Sequence, residues 1–118
     1  DFVVVPIPLS KEKERSRGFN QAEVIAKVVS IKLSLDITKK ILTRAKDTTV
    51  QHKKNRLERF KSLSKAFSVE RDISGLKILL VDDISTTGAT FLESAKTLYL
   101  AGAKEVRCFS LSKTLKKH

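Results

Sequence analysis

Ile78-Leu79-Leu80-Val81-Asp82-Asp83-Ile84-Ser85-Thr86-Thr87-Gly88-Ala89-Thr90 is the stretch on which the reading of the whole chain turns. Its first four residues are an unbroken apolar run. Such a run, too short for a typical helix, predicts a strand covered on both faces, as in a parallel sheet. Two carboxylates stand at the strand's end, followed by a small polar loop. Beyond Thr90, Leu92, Ala95, Leu98 and Tyr99 keep helical spacing until Gly102 supplies a C-terminal stop, and residues 105–111 predict another strand. Strand, helix and strand in succession imply parallel pairing, with ligands held at the carboxyl ends of the strands. The acid pair lies at such an end.

Each part of the stretch suits a phosphorylated sugar. Carboxylates accept paired hydrogen bonds from vicinal hydroxyls. A loop of Ser, Thr and Gly offers hydroxyls, backbone N–H groups and a helix N-terminus to a phosphate dianion. At Gly88 the backbone is free to approach a ligand closely.

Working outward toward the N-terminus, Gly75 reads as a turn and residues 66–69 as a weak strand. Residues 45–64 are polar and basic, with too few apolar positions to belong wholly to a core. They read as a mobile loop containing helical turns. Residues 37–42 predict a short strand. Ala22, Ile25, Ala26, Val29 and Leu33 recur at helical intervals, giving an amphipathic helix of about four turns, and Asn20 with Glu23 has capping-box spacing at its start. Residues 2–7 are largely β-branched and run into Pro6-Ile7-Pro8, which predicts a buried strand entering a rigid turn.

At 118 residues the chain has the length of one domain, so residues 1–118 are expected to form a single folded unit. The longest apolar runs are far shorter than the roughly 20 residues of a membrane span, and no signal-like segment is present, which points to a cytoplasmic protein. Asp1 is followed at once by Phe2-Val3-Val4-Val5, so a domain cut from a longer chain is expected. Cys108 has no partner for an internal disulfide and is expected to be a buried strand residue. The two histidines are far apart and form no metal-ligand cluster. The net charge of +11 favours anionic partners, phosphates or nucleic acid. The excess is uneven, since residues 39–65 hold ten Lys or Arg against Asp47 and Glu58 alone.

Three other readings of residues 78–90 compete. A Walker B strand would need a Gly-x-x-x-x-Gly-Lys-Ser/Thr loop, which is absent. A response-regulator receiver would need a phosphoacceptor aspartate further on, and no Asp follows Asp83. A strand end with two solvated acids and a Thr-rich helix cap stays open on the residues alone.

Four apolar residues, Asp-Asp, then Ser-Thr-Thr-Gly-Ala-Thr resemble the phosphoribosyl pyrophosphate (PRPP) signature of type I phosphoribosyltransferases. A second resemblance covers nearly the whole chain. Val5-Pro6-Ile7-Pro8-Leu9, Arg15-Ser16-Arg17-Gly18-Phe19-Asn20-Gln21, and the spacing of Gln51, Arg59 and Ala66-Phe67 are similar to the ComF branch of that family, named for bacterial competence for DNA uptake.

The resemblance implies an α/β fold with a Rossmann-like parallel sheet, without the N-terminal hood or zinc ribbon that ComF-like proteins often carry. It implies that Asp82 and Asp83 hold the ribose hydroxyls as the catalytic acids, and that Ser85, Thr86, Thr87, Gly88, Ala89 and Thr90 grip the 5′-phosphate. Leu9, Ser10 and Lys11 would form the pyrophosphate loop. Residues 44–62 would close over the ligand, with Arg17, Gln51 and Arg59 as anion contacts. Ser62 stands where the family pattern usually has Asn. Mg²⁺ is the implied cofactor, held through PRPP and by Asp82 and Asp83 rather than by a dedicated set of protein ligands. No zinc is expected, because the chain has no Cys-x-x-Cys pair.

Two functions of different class follow. One is Mg²⁺-dependent transfer of phosphoribosyl to a nitrogen acceptor with release of pyrophosphate, or binding of PRPP without turnover. The other is a factor that handles single-stranded DNA in natural transformation, with its basic loop on the strand's backbone and PRPP as a regulatory ligand. The expected partners are PRPP, single-stranded DNA, and a second copy of the chain or the DNA-uptake machinery.

Overall fold

The structure, a computed structural model, describes residues 1–9, 15–44, 66–83 and 88–111. Its centre is a four-stranded, wholly parallel sheet of β1 (Phe2–Pro6), β2 (Asp36–Ile37), β5 (Lys77–Asp82) and β6 (Glu105–Ser110), in the spatial order β2-β1-β5-β6. Helices α1 (Gln21–Leu33) and α2 (Ala89–Leu100) pack on it, and β3 (Leu42–Arg44) pairs antiparallel with β4 (Phe67–Val69) in a separate ribbon. The α/β parallel architecture is the one expected. Among the described residues no helix is long and apolar enough to cross a membrane.

The apolar run that anchors the reading becomes the middle of the sheet. Ile78 and Leu80 point to one face, where they meet Val5, Ile41, Leu42, Phe67, Ile73 and Leu98 in the larger core. Val81 points to the other face and packs with Val4 and Ala26, with Leu79 beside them. Alternation along an extended chain delivers successive residues to opposite faces, so a strand clad on both sides must be apolar at both parities.

Asn20 does two jobs at the start of α1. Its Oδ1 accepts from the Ala22 N–H at 3.0 Å, and its Nδ2 donates to the Ile7 carbonyl at 3.1 Å, tying the helix to the carboxyl end of β1. The capping-box expectation is half met. The Glu23 carboxylate pairs with Lys39 at 3.7 Å, and only the backbone N–H of Glu23 meets Asn20, at its carbonyl, 3.0 Å.

Three expectations are corrected. Residues 37–42 do not form one strand. Asp36–Ile37 joins the parallel sheet beside β1, whereas Leu42 begins the antiparallel ribbon, because pairing partners and not local propensity divide this segment. Leu33, the last residue of α1, is exposed. Cys108 is exposed as well. It lies on β6, which ends the strand order and has a neighbouring strand on one side only.

Candidate functional site at the carboxyl edge of the sheet

The chain reverses its direction of growth across the sheet between β1 and β5: β2 lies on one side of β1, while β5 and β6 lie on the other. The strand connections therefore diverge there and leave a crevice outside the carboxyl ends, the usual ligand position in open α/β sheets. Pro6 is paired with Val81, and the Ile7 N–H donates to the Val81 carbonyl at 2.8 Å, so Leu9 and Asp82 leave the sheet at the same edge. On the other flank Asp82 is in register with Ser110 of β6.

Asp82 is half-buried where β5 ends, and its Oδ1 accepts from the Asp83 N–H at 2.9 Å. Burial pushes its carboxyl up to about 6. The Asp83 N–H opposes this, the Asp83 side chain and charge add to it, and the Arg44 guanidinium opposes it. Removing water from a carboxylate disfavours the charged form, and a like charge alongside does the same. A group so poised gains from any ligand that donates hydrogen bonds to it.

Arg44 enters here as a residue whose individual role sequence reasoning missed. It ends β3, its guanidinium lies 4.9 Å from the centre of the Phe67 ring on β4, and its charge acts on Asp82. The available sequence signal was its position as the first residue of the expected closing loop. Its proximity to Asp82 comes from the ribbon's placement, which no local pattern encodes.

Helix α2 begins behind the acid pair. Gly88 is its N-cap with φ of 81°, and being glycine it brings no side chain over the helix's first N–H groups. Ala89 and Thr90 are the first two helical residues. The left-handed conformation at Gly88 is one that other L-residues adopt at a cost of roughly 1–2 kcal/mol.

The structure thus brings Leu9, Asp82, Asp83, Gly88, Ala89 and Thr90 to one edge. Arg17 lies exposed at the end of a helical segment, three residues before Asn20. Ser10, Lys11, Gln51, Arg59, Ser85, Thr86 and Thr87 lie outside the described residues. Among the described residues no group of three or more His, Cys, Asp or Glu could by itself hold a metal ion. The acid pair fits Mg²⁺ in its common mode, one or two carboxylates with the remaining ligands from substrate oxygens and water.

Residues 15–117 match the phosphoribosyl transferase domain family. The chain is 40% identical to the competence protein ComFC of Streptococcus pneumoniae over 94% of its own length and 48% of that protein's, and 39% identical to ComFC of Bacillus subtilis over 93% and 44%. It is 33% identical to the DNA utilization protein YhgH of Escherichia coli K12 over 95% and 49%. The chain therefore spans about half the length of the curated relatives it matches. No solved structure matches it. A match across nearly the whole chain, together with a parallel sheet that ends in paired acids at its switch point, establishes that the chain belongs to the phosphoribosyltransferase family, in the branch related to ComFC and YhgH.

Proposed function

We propose that the carboxyl edge of the sheet binds PRPP and that the protein transfers its phosphoribosyl group to a nitrogen acceptor. The observation that carries this reading is the half-buried Asp82, adjoining Asp83, at the end of β5 and before the N-terminus of α2. The two carboxylates accept hydrogen bonds from the ribose hydroxyls. Residues 85–90, with the first N–H groups of α2, receive the 5′-phosphate, favoured by the helix dipole. Leu9, Ser10 and Lys11 flank the pyrophosphate, and Arg44, braced on Phe67, supplies a cation to the same anion. Arg17, Gln51 and Arg59 are further anion contacts.

In the transfer, the bond from ribose C1 to a pyrophosphate oxygen breaks as a bond from the acceptor nitrogen to C1 forms, and the nitrogen's proton passes to solvent water. Pyrophosphate leaves with the electron pair. Asp82 and Asp83 offset the positive charge that spreads over the ribose ring in the transition state. They are also the residues that would hold Mg²⁺, which when bound neutralises charge on the leaving pyrophosphate.

The test is calorimetric titration of PRPP with and without Mg²⁺, followed by assay of pyrophosphate release with nitrogen acceptors. Saturable, metal-enhanced binding is expected. Absence of heat under both conditions overturns the reading.

The net charge of +11 favours a second reading, in which residues 39–65 bind single-stranded DNA. Its support is that charge and the names of relatives concerned with competence and DNA utilization. About five phosphate contacts give a log-log salt slope of roughly −3.5 for single strands. Affinity indifferent to salt removes this reading.

A further inference from the structure

Among the described residues three polar side chains are buried, those of Asn20, Ser94 and Ser110. Asn20 uses its amide on the Ile7 carbonyl and the Ala22 N–H. The hydroxyls of Ser94 and Ser110 are enclosed and have no hydrogen-bond partner. A hydroxyl kept from water without a partner destabilises the fold that buries it.

For Ser94 the remedy is local. It lies in α2, where a rotated hydroxyl can donate to the carbonyl four residues back, as Thr97 does to Glu93 at 2.9 Å. Ser110 ends β6, and an extended strand turns its side chains away from its own carbonyls. Since β6 is also the last strand of the sheet, β5 is its one strand neighbour.

The register supplies Ser110 with a polar neighbour. Ser110 is paired with Asp82, and paired residues of adjacent strands send their side chains to the same face. That face is the one of Ile78 and Leu80, because alternation returns every second residue of β5 to it. Adjacent strands lie about 4.8 Å apart, a gap that a carboxylate and a hydroxyl can close by rotation about their own side-chain bonds. Asp82 can take a further donor. Its Oδ1 accepts from the Asp83 N–H, and a carboxylate offers about four lone-pair sites.

We propose, on the PRPP reading given above, that Ser110 is a positioning residue: with PRPP bound, its hydroxyl donates to the Asp82 carboxylate and fixes the orientation in which that carboxylate receives the ribose hydroxyls. A bond made only in the bound state gives Ser110 opposite signs in stability and in affinity. It weakens the ligand-free fold and strengthens binding, whereas a serine kept for packing would favour both or neither.

The experiment is calorimetric titration of the protein with PRPP in the presence of Mg²⁺, and with pyrophosphate in its absence, so that no metal ties pyrophosphate to Asp82. Ser110→Ala is expected to weaken PRPP at least about fivefold, while the urea midpoint of the ligand-free protein stays the same or rises. Ser110→Thr, which keeps a hydroxyl, is expected to restore most of the affinity. Ser110→Cys, close in shape but a weak donor, is expected to fall between, and it decides the matter if Ser110→Ala fails to fold. Pyrophosphate, which has no hydroxyl for Asp82 to receive, is expected to bind native and variant proteins alike. PRPP affinity that loss of the hydroxyl leaves unchanged, a loss that Ser110→Thr does not restore, or an equal loss for pyrophosphate overturns the role of Ser110 alone. No heat from PRPP with the native protein overturns the PRPP reading and this role with it.

Discussion

The two edges of the sheet each display an aspartate, and the two are held in opposite ways. At the amino edge Asp72 sits in a turn where its Oδ1 accepts from the Ser74 N–H at 3.0 Å and the Ser74 hydroxyl at 2.8 Å, and these bonds hold its carboxyl below the usual range. Around it the backbone is stitched, Gly75 N–H to the Gly102 carbonyl at 2.9 Å and Lys104 N–H to the Leu76 carbonyl at 2.7 Å. At the carboxyl edge Asp82 is half-buried and pushed up to about 6, with Asp83 alongside. One acid accepts from two donors within its turn, whereas the other, which accepts from the Asp83 N–H, is desolvated beside a like charge. Groups that burden the fold while facing a crevice are where binding is to be sought.

The largest expected effect is on binding. Asp82→Asn with Asp83→Asn replaces both charged carboxylates at the ribose hydroxyls with neutral amides, each with one acceptor oxygen fewer, and is expected to weaken PRPP by at least about 100-fold, or about 2.7 kcal/mol, while thermal stability is kept or raised. Unchanged affinity by calorimetry would sink the ribose assignment. At the amino edge the expected pattern is the reverse. Gly102 has φ of 108°, and a Cβ there would meet the Ser74 Cα at 3.3 Å. Gly102→Ala is expected to cost about 2 kcal/mol in denaturant unfolding, with PRPP affinity of the folded protein unaltered.

Titration separates the edges next. The folded carboxyl of Asp82 lies above its ordinary 3.8, so the folded state retains this proton up to about pH 6. Asp82's contribution is therefore greatest below about pH 4 and declines as pH rises toward 6. Half-exposure and screening reduce it to about 1 kcal/mol. Urea midpoints between pH 4 and 7 should show this slope, and Asp82→Asn should flatten it. PRPP affinity should move the other way, tightening as pH rises through 6, because the ionised carboxylate is the better acceptor. A flat affinity profile would detach Asp82 from the ligand. The smallest effect belongs to Asp72, whose depressed carboxyl stabilises the fold above its ordinary 3.8 and loses that contribution at more acid pH. Asp72→Ala should lower the melting temperature slightly at pH 7 and leave ligand binding alone.

Much of the fold was legible because its signals are local. The run at residues 78–81 announced a strand clad on both faces, and Gly102 marked the end of α2 as a turn glycine does. Asn20 was legible as a cap, although its second bond, to the Ile7 carbonyl 13 residues away, was not. The acid pair was legible because its two members are adjacent in the chain. The errors fall where pairing between distant segments decides. Residues 36–44 divide between two sheets, Cys108 is exposed on a strand at the end of the sheet, and Leu33 is exposed at the last residue of α1.

By itself, then, the sequence determined the alternation of strand and helix, the family through its Asp-Asp and Ser-Thr-Thr-Gly-Ala-Thr signature, and the anionic character of the ligands that suit a chain of charge +11. Those follow from the period of apolar residues, the chemistry of neighbouring side chains and a sum of charges, all of which are local or additive. Only the tertiary structure decided that β1 and β5 are neighbours with a switch point between them, that Arg44 acts on Asp82 across 38 positions of chain, and that Ala22 and Ala26 of α1 are buried while Val24, Val28 and Ile31 are exposed. Strand order, burial and through-space charge depend on which distant segments pack together, and an amino-acid's neighbours in sequence do not specify its neighbours in space.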